Sequence, residues 1–232
     1  MGQLIVIEGT DGSGKATQTK ILAQQLRNNG YKVRTFDFPR YGQNSAKLVE
    51  TYLQGEFGLV NEVSPHVTSL FYAIDRHFAA KDIAKAIESE DFVLTNRYTT
   101  ANMGHQGSKI KNPEERKNFL NWLENLEYKK LELPIPDKVL FLFVPPTYNQ
   151  ELVDKKENRE YTKGKKRDIH EASKSHLEDA AECFLQIAES KENWTQIDCL
   201  KDRKLMSIEE IADKIWLKLD IKQKSESNTI ER

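Results

Sequence analysis

Leu4-Ile-Val-Ile-Glu8 runs directly into Gly9-Thr-Asp-Gly-Ser-Gly-Lys-Ala-Thr17, and no other stretch of this chain is as constrained. A short, β-branched apolar run reads as a buried strand, and the lysine opens an Ala-, Leu- and Gln-rich helical stretch. The glycines between them therefore form a strand-to-helix loop. Gly9, Gly12 and Gly14 allow the backbone to curl with its N–H groups inward, Thr10, Asp11 and Ser13 complete the loop, and Lys15 adds a movable positive charge. A polyphosphate can rest on such a loop, where the first helical turn offers unpaired amides and the positive end of the helix dipole. One position departs from the pattern. A hydroxyl residue should follow the lysine to meet Mg²⁺, but Ala16 stands there with Thr17 one step late.

The same alternation of strand and helix continues along the chain. Tyr31–Phe38, Phe92–Thr95, Val139–Val144 and Trp194–Ile197 read as buried parallel strands because their apolar residues run nearly without interruption. Helical stretches lie between them. Thr17–Asn29 stops at Gly30, Ser45–Leu53 ends near Gly55, and Val67–Glu88 is long enough to imply a break. Pro113–Leu126 begins with proline at a first-turn position, and Met206–Leu219 opens with the capping-box spacing Ser207 to Glu210. The order predicts an α/β fold of three layers, a five-stranded parallel sheet flanked by helices on both faces. Right-handed crossovers then put the glycine loop at the carboxyl edge of the first strand. Residues 1–219 are expected to form one domain and residues 220–232 a polar, frayed tail.

Charge and cysteine content exclude several classes. With 35 basic against 36 acidic residues the formal charge is −1, so no global field recruits nucleic acid or a membrane surface. Phosphate binding must come from local placement. Cys183 and Cys199 have no paired CxxC spacing and read as packed thiols. No apolar run approaches bilayer length and no basic leader precedes the first strand, so a soluble, cytoplasmic protein is expected.

A second polar constellation follows the strand at Phe92–Thr95, in Asn96-Arg97-Tyr98 and onward through Asn102, His105 and Gln106. Polar and cationic residues released at the carboxyl edge of a central strand sit where an α/β protein places its reactive groups. Phe38-Pro-Arg40-Tyr41-Gly42 follows another strand and could be a binding cluster or simply a proline–glycine turn. Tyr72 and Arg76 lie four apart on an apolar helix and share a face. A buried arginine needs a partner, which could be Asp75, another acid or a ligand. Finally, residues 155–167 carry seven basic side chains and two acidic ones between a strand and a helix, a candidate cationic flap over the glycine loop.

Taken in order, these landmarks resemble the thymidylate kinases, a family of P-loop nucleoside monophosphate kinases, over nearly the whole chain from Leu4 to about Leu219. The resemblance rests on Glu8 to Lys15, Phe38-Pro-Arg40-Tyr-Gly42, Leu70 to Arg76, Arg97-Tyr98 with Asn102 and Gln106-Gly107, Pro136-Asp137 before a strand ending in Val144-Pro-Pro146, and the basic flap. It implies a P-loop NTPase fold with a basic lid at about 155–168, and transfer of the γ-phosphoryl group of ATP to dTMP with Mg²⁺. By the same resemblance Lys15 and the loop amides hold the ATP phosphates, and Arg97 bridges acceptor and moving phosphoryl group. Asp11 faces the acceptor sugar, while Phe38, Arg40 and Tyr41 meet the monophosphate, Arg40 through its phosphate. Tyr72, with Phe71 as alternative, stacks on thymine, and Arg76 and Asn102 read its polar edge beside His105 and Gln106. A catalytic arginine comes from the lid, Arg159 first and Arg167 in reserve, and the family is usually a homodimer.

Three residues depart from the family pattern: Ala16 after the loop lysine, Asn96 in place of an aspartate, and His105 in place of a tyrosine. The first two weaken the expected metal side of the site, for which Thr17, Asp11 or Glu171 could compensate. The third bears on base and sugar selection. Two other readings stay open at this point, a kinase for another nucleoside monophosphate and a nucleotide-binding homologue with weak or no turnover.

Overall fold

The computed structural model describes residues 1–148, 168–219 and 221, with the backbone alone at 171 and 172. Most of the expected lid, including Arg159 and Arg167, lies outside the described residues, as do the side chain of Glu171 and nearly all of the 220–232 tail. The chain begins with β1 (Gln3–Gly9) and α1 (Lys15–Asn28), then β2 (Val33–Asp37), α2 (Lys47–Leu53), α3 (Pro65–His77), α4 (Ala80–Ser89) and β3 (Phe92–Asn96). It continues through α5 (Thr99–Gly107), α6 (Pro113–Glu124), β4 (Lys138–Phe143), α7 (Ile169–Ala172), α8 (Lys174–Ser190) and β5 (Trp194–Asp198). The small hairpin β6 (Leu200–Lys201) and β7 (Lys204–Leu205) then leads into α9 (Ile208–Leu219).

The five long strands form one parallel sheet in the order β2-β3-β1-β4-β5. Because successive side chains of a strand face opposite ways, β1 feeds two cores. Leu4 and Val6 pack with Phe119, Phe141 and Phe184 on one face, whereas Ile5 and Ile7 pack with Leu22, Leu26, Ile211 and Ile215 on the other. Helices thus cover both faces, which is the expected three-layer arrangement. In this register Ile7 lies beside Asn96 and Gly9 beside Leu142, so the carboxyl ends of β1, β3 and β4 open onto one edge.

Most element assignments agree with the sequence expectation, and the differences have physical causes. The long stretch 67–88 does break, with Phe78 and Ala79 separating α3 from α4. Ser207 and Glu210 form both bonds of the capping box at 3.1 and 2.8 Å. β2 is not a buried strand. It lies at the sheet edge, and all its residues are half-buried or exposed. α6 does not run uniformly to Leu126 but widens into a π-helical turn at Asn125–Lys130, a feature that often accompanies functional sites. The segment after Tyr98 is a helix, α5, buried along nearly its whole length. Cys183 and Cys199 are buried free thiols, and burial pushes Cys183 up to about 11.

Candidate active site

The loop closes as the glycines require. Gly9 has φ 154° and a Cβ there would lie 2.5 Å from Ser13 Oγ and 2.7 Å from the Leu142 carbonyl, so any side chain would collide with backbone. Gly14 takes the left-handed conformation that caps α1. Lys15 is buried, and its Nζ donates to the Thr10 carbonyl at 2.7 Å, which folds the ammonium back over the loop. Glu8, wholly buried at the end of β1, accepts from Gly9 N at 2.9 Å and from Thr100 Oγ1 at 2.7 Å, tying the loop to α5.

Beside this loop opens a cavity of about 750 Å³. The loop and α1 contribute Asp11, Gly12, Gly14, Lys15, Ala16 and Thr17. Phe38 and Tyr41 enter from the segment after β2, Tyr72 and Arg76 from α3, and Arg97, Asn102, His105 and Gln106 from the end of β3 and α5. One cavity therefore gathers most of the expected site residues from distant parts of the chain. Gly9, Thr10 and Ser13 do not line it and serve as the frame behind. Phe71 does not line it either, since its ring packs on Tyr52 and Phe57, so Tyr72 is the aromatic that the cavity receives. Burial keeps the Tyr72 phenol well above its ordinary pKa, so the ring is neutral.

Arg97 is the electrostatic centre. It adopts φ 61°, rare for a residue with a side chain, and its backbone N donates to the Ile7 carbonyl at 3.1 Å. Its guanidinium pairs with Asp11, lies 3.8 Å from Glu8, and donates from Nη1 to His105 Nε2 at 3.0 Å. Burial works against its charge, but the Asp11 and Glu8 carboxylates outweigh that and hold it above the usual arginine value. Since arginine only donates, His105 Nε2 must be the acceptor. Burial, reinforced by the Arg97 charge, keeps that imidazole neutral.

The acid that neutralises Arg76 is not Asp75 but Glu127, which accepts from Nε and Nη2 at 2.6 Å each. Glu127 stands on the π-helical turn and is fully buried. Asn102 Nδ2 donates to the same carboxylate and to the Ser69 carbonyl, both at 3.1 Å. Asp75 instead engages Arg40, accepting from its backbone N at 2.8 Å and from Nε at 3.0 Å, with Ser45 bridging the two. The Arg40 side chain is thereby held beside Asp75 and is not among the residues that line the cavity.

Sequence reasoning overlooked Asp37, Lys20, Asp168 and His170, which also line the cavity. The signal for Asp37 was present, an acid at the carboxyl end of a strand. Asp37 accepts from Asn96 Nδ2 at 2.7 Å, and burial raises its pKa. Asn96 Oδ1 is buried with no hydrogen-bond partner among the described residues. Asp37, Asn96 Oδ1 and the Thr17 hydroxyl thus offer hard oxygen donors that fit Mg²⁺, a cation that keeps several waters and leans on substrate phosphates.

A glycine loop at the carboxyl edge of a central parallel strand, opening on a cavity with Lys15 and Arg97, defines a P-loop NTPase. Residues 7–215 match the thymidylate kinase family model, and the chain belongs to that family. Among curated relatives, thymidylate kinase of Mycobacterium tuberculosis is 33% identical over 142 residues, covering 61% of this chain and 65% of the relative. The Homo sapiens thymidylate kinase is 30% identical over 142 residues, covering 61% and 60%. The matched stretch thus spans a little under two thirds of these proteins. A solved structure of thymidylate kinase from Candida albicans superposes with a TM-score of 0.70, covering 94% of this chain and 91% of that one at 22% identity, a likeness of fold.

Proposed function

We propose that this protein transfers the γ-phosphoryl group of ATP to dTMP, giving dTDP and ADP. The observation that carries the reading is the convergence of Lys15, Asp11 and Arg97 on one cavity that also receives Phe38, Tyr72, Arg76 and Asn102. An ionised phosphate oxygen of the acceptor attacks the γ-phosphorus, and the bond to the β–γ bridging oxygen breaks with its electron pair leaving on ADP. No general base is required, because the nucleophile is already deprotonated. The work of the protein is alignment and charge neutralisation. Lys15 and the loop amides hold the donor phosphates, Arg97 spans donor and acceptor, and Arg159 of the lid completes the charge set, with Arg167 in reserve. Arg40 meets the acceptor phosphate after leaving Asp75. Asp37, Asn96 and Thr17 would hold Mg²⁺, which would supply further charge neutralisation to the donor phosphates when bound.

Base choice follows from the Glu127 network. Both Asn102 amide hydrogens are spent on acceptors, so what Asn102 offers a base is its carbonyl oxygen. That oxygen suits the thymine N3–H, and Arg76 suits the neighbouring carbonyl. Cytosine presents an acceptor at N3 and a donor at the exocyclic amine, and mismatches both. Tyr72 supplies the stacking surface.

We also propose a homodimer through α3. Val67, Leu70 and Ile74 on α3 and Phe78 just past its end are spaced three and four apart and expose 44, 39, 39 and 69% of their surface, a continuous apolar stripe. A coupled assay with ATP, Mg²⁺ and a panel of monophosphates tests the activity. dTMP should be phosphorylated and dCMP refused; equal turnover of both, or none with any acceptor, overturns the reading.

A further inference from the structure

At the cavity wall, three helices bring three histidines together: His105 from α5, His170 from α7 and His176 from the first turn of α8. All three are buried, and each offers a ring nitrogen within 4.8 Å of those of the other two. The rings of His170 and His176 meet edge-on at 4.6 Å, and His105 stacks on His176 at 5.6 Å. Aromatic packing alone does not account for the cluster. His105 Nδ1 and His176 Nε2 are buried without a hydrogen-bond partner among the described residues, a cost that a ligand would remove.

We propose that His105, His170 and His176 form a binding site for a borderline divalent metal ion of the Zn²⁺ class. The ligand set is all imidazole, which suits Zn²⁺ and disfavours Mg²⁺ and Ca²⁺, cations that require oxygen. His105 and His170 also line the nucleotide cavity, so a fourth position can be filled from its solvent, as at three-histidine zinc sites. His170 Nε2 already contacts the Tyr52 hydroxyl at 2.9 Å, the outer contact that orients a metal-bound imidazole. Burial, the leading cause at all three rings, holds them neutral, His176 at about 4, so each ring carries one lone pair and no second proton.

The site is linked to Arg97 by the valence of one ring. A neutral imidazole has a single lone pair, and His105 spends it at Nε2 on Arg97 Nη1. Ligation through Nδ1 moves the ring proton to Nε2, which then opposes an arginine donor. Metal ligation and the Arg97–His105 contact therefore exclude each other.

The test uses full-length protein without a polyhistidine tag and reads ligation rather than turnover, so its outcome is separable from that of the kinase assay. One equivalent of Co²⁺ should produce the visible d–d bands of a low-coordinate site, and Zn²⁺ should displace it. In ¹⁵N-imidazole NMR of the unmutated protein, Zn²⁺ should shift the His105, His170 and His176 rings while His66 and His77 stay in place. His176→Ala should weaken Zn²⁺ binding beyond the roughly 10–100-fold that loss of an outer partner costs. Arg97→Ala should tighten it by removing the competing donor and its charge. Absence of bands in the unmutated protein, bands retained in His176→Ala, or shifts confined to His66 and His77 overturn the site. Equal or weaker binding in Arg97→Ala overturns the exclusion.

Discussion

Arg76 and Glu127, behind the proposed base-reading wall, are both buried and joined by two bonds of 2.6 Å. Removing one member of a buried pair strands the other charge, which costs about 3–5 kcal/mol. Glu127→Ala should therefore lose that much stability in urea titration and lose dTMP affinity with it; a loss under about 1 kcal/mol would show that Arg76 is neutralised elsewhere. Lys109 presents a different case. Its ammonium donates to the Tyr52 hydroxyl at 3.1 Å, and burial lowers its pKa from 10.5 to about 8. Between those values the unfolded chain binds more protons than the folded one, so stability gains from this group as pH rises through the window. Lys109→Met removes the cost of burying the charge. Its stability relative to the unmutated protein should fall steadily from pH 7 to pH 10, and a pH-independent difference would refute the assignment.

At the level of elements, α5 carries Asn102, His105 and Gln106 and depends on close approach to α8. A Cβ on Gly104 would lie 2.2 Å from Phe184 Cζ, and Phe184 is locked between Phe141 and the His105 ring. In an open helix, glycine to alanine gains about 1 kcal/mol. Overpacking a filled core costs about 1–3 kcal/mol, and a contact this short with an immobile ring puts the balance on the side of loss. Gly104→Ala should lower the melting temperature and displace α5, read as a rise in KM for dTMP; a higher melting temperature would mean that α8 yields freely. Thr-Thr-Ala-Asn-Met-Gly-His-Gln-Gly has weak helix propensity, which is why sequence assigned it no helix. Burial against α8 and α3 overrides propensity.

For the molecule as a whole, the apolar stripe along α3 is a surface that the cavity does not use. Its reverse side bears Tyr72 and Arg76, so a contact between two copies there would brace the proposed base-binding wall from behind. Ile74→Lys should convert a dimer to a monomer in size-exclusion chromatography with light scattering and should lower activity at dilute protein. An unmutated protein that is monomeric at micromolar concentration would remove the dimer.

The sequence alone determined the sheet, the loop and the family, because strand runs, glycine spacing and cap residues are local signals whose geometry travels with them. Strand order put Lys15 and Arg97 at one sheet edge and the family resemblance added Tyr72 and Arg76, and all four line one cavity. Which acid meets which arginine was not legible. Asp75 lies next to Arg76 in the chain yet faces Arg40, while Glu127 reaches Arg76 from 51 residues away on a π-helical turn. The histidine cluster likewise joins three helices whose ring positions no spacing encodes. Only the tertiary structure could decide these, because a buried charge or imidazole takes its partner from the space into which folding packs it, not from its neighbours along the chain.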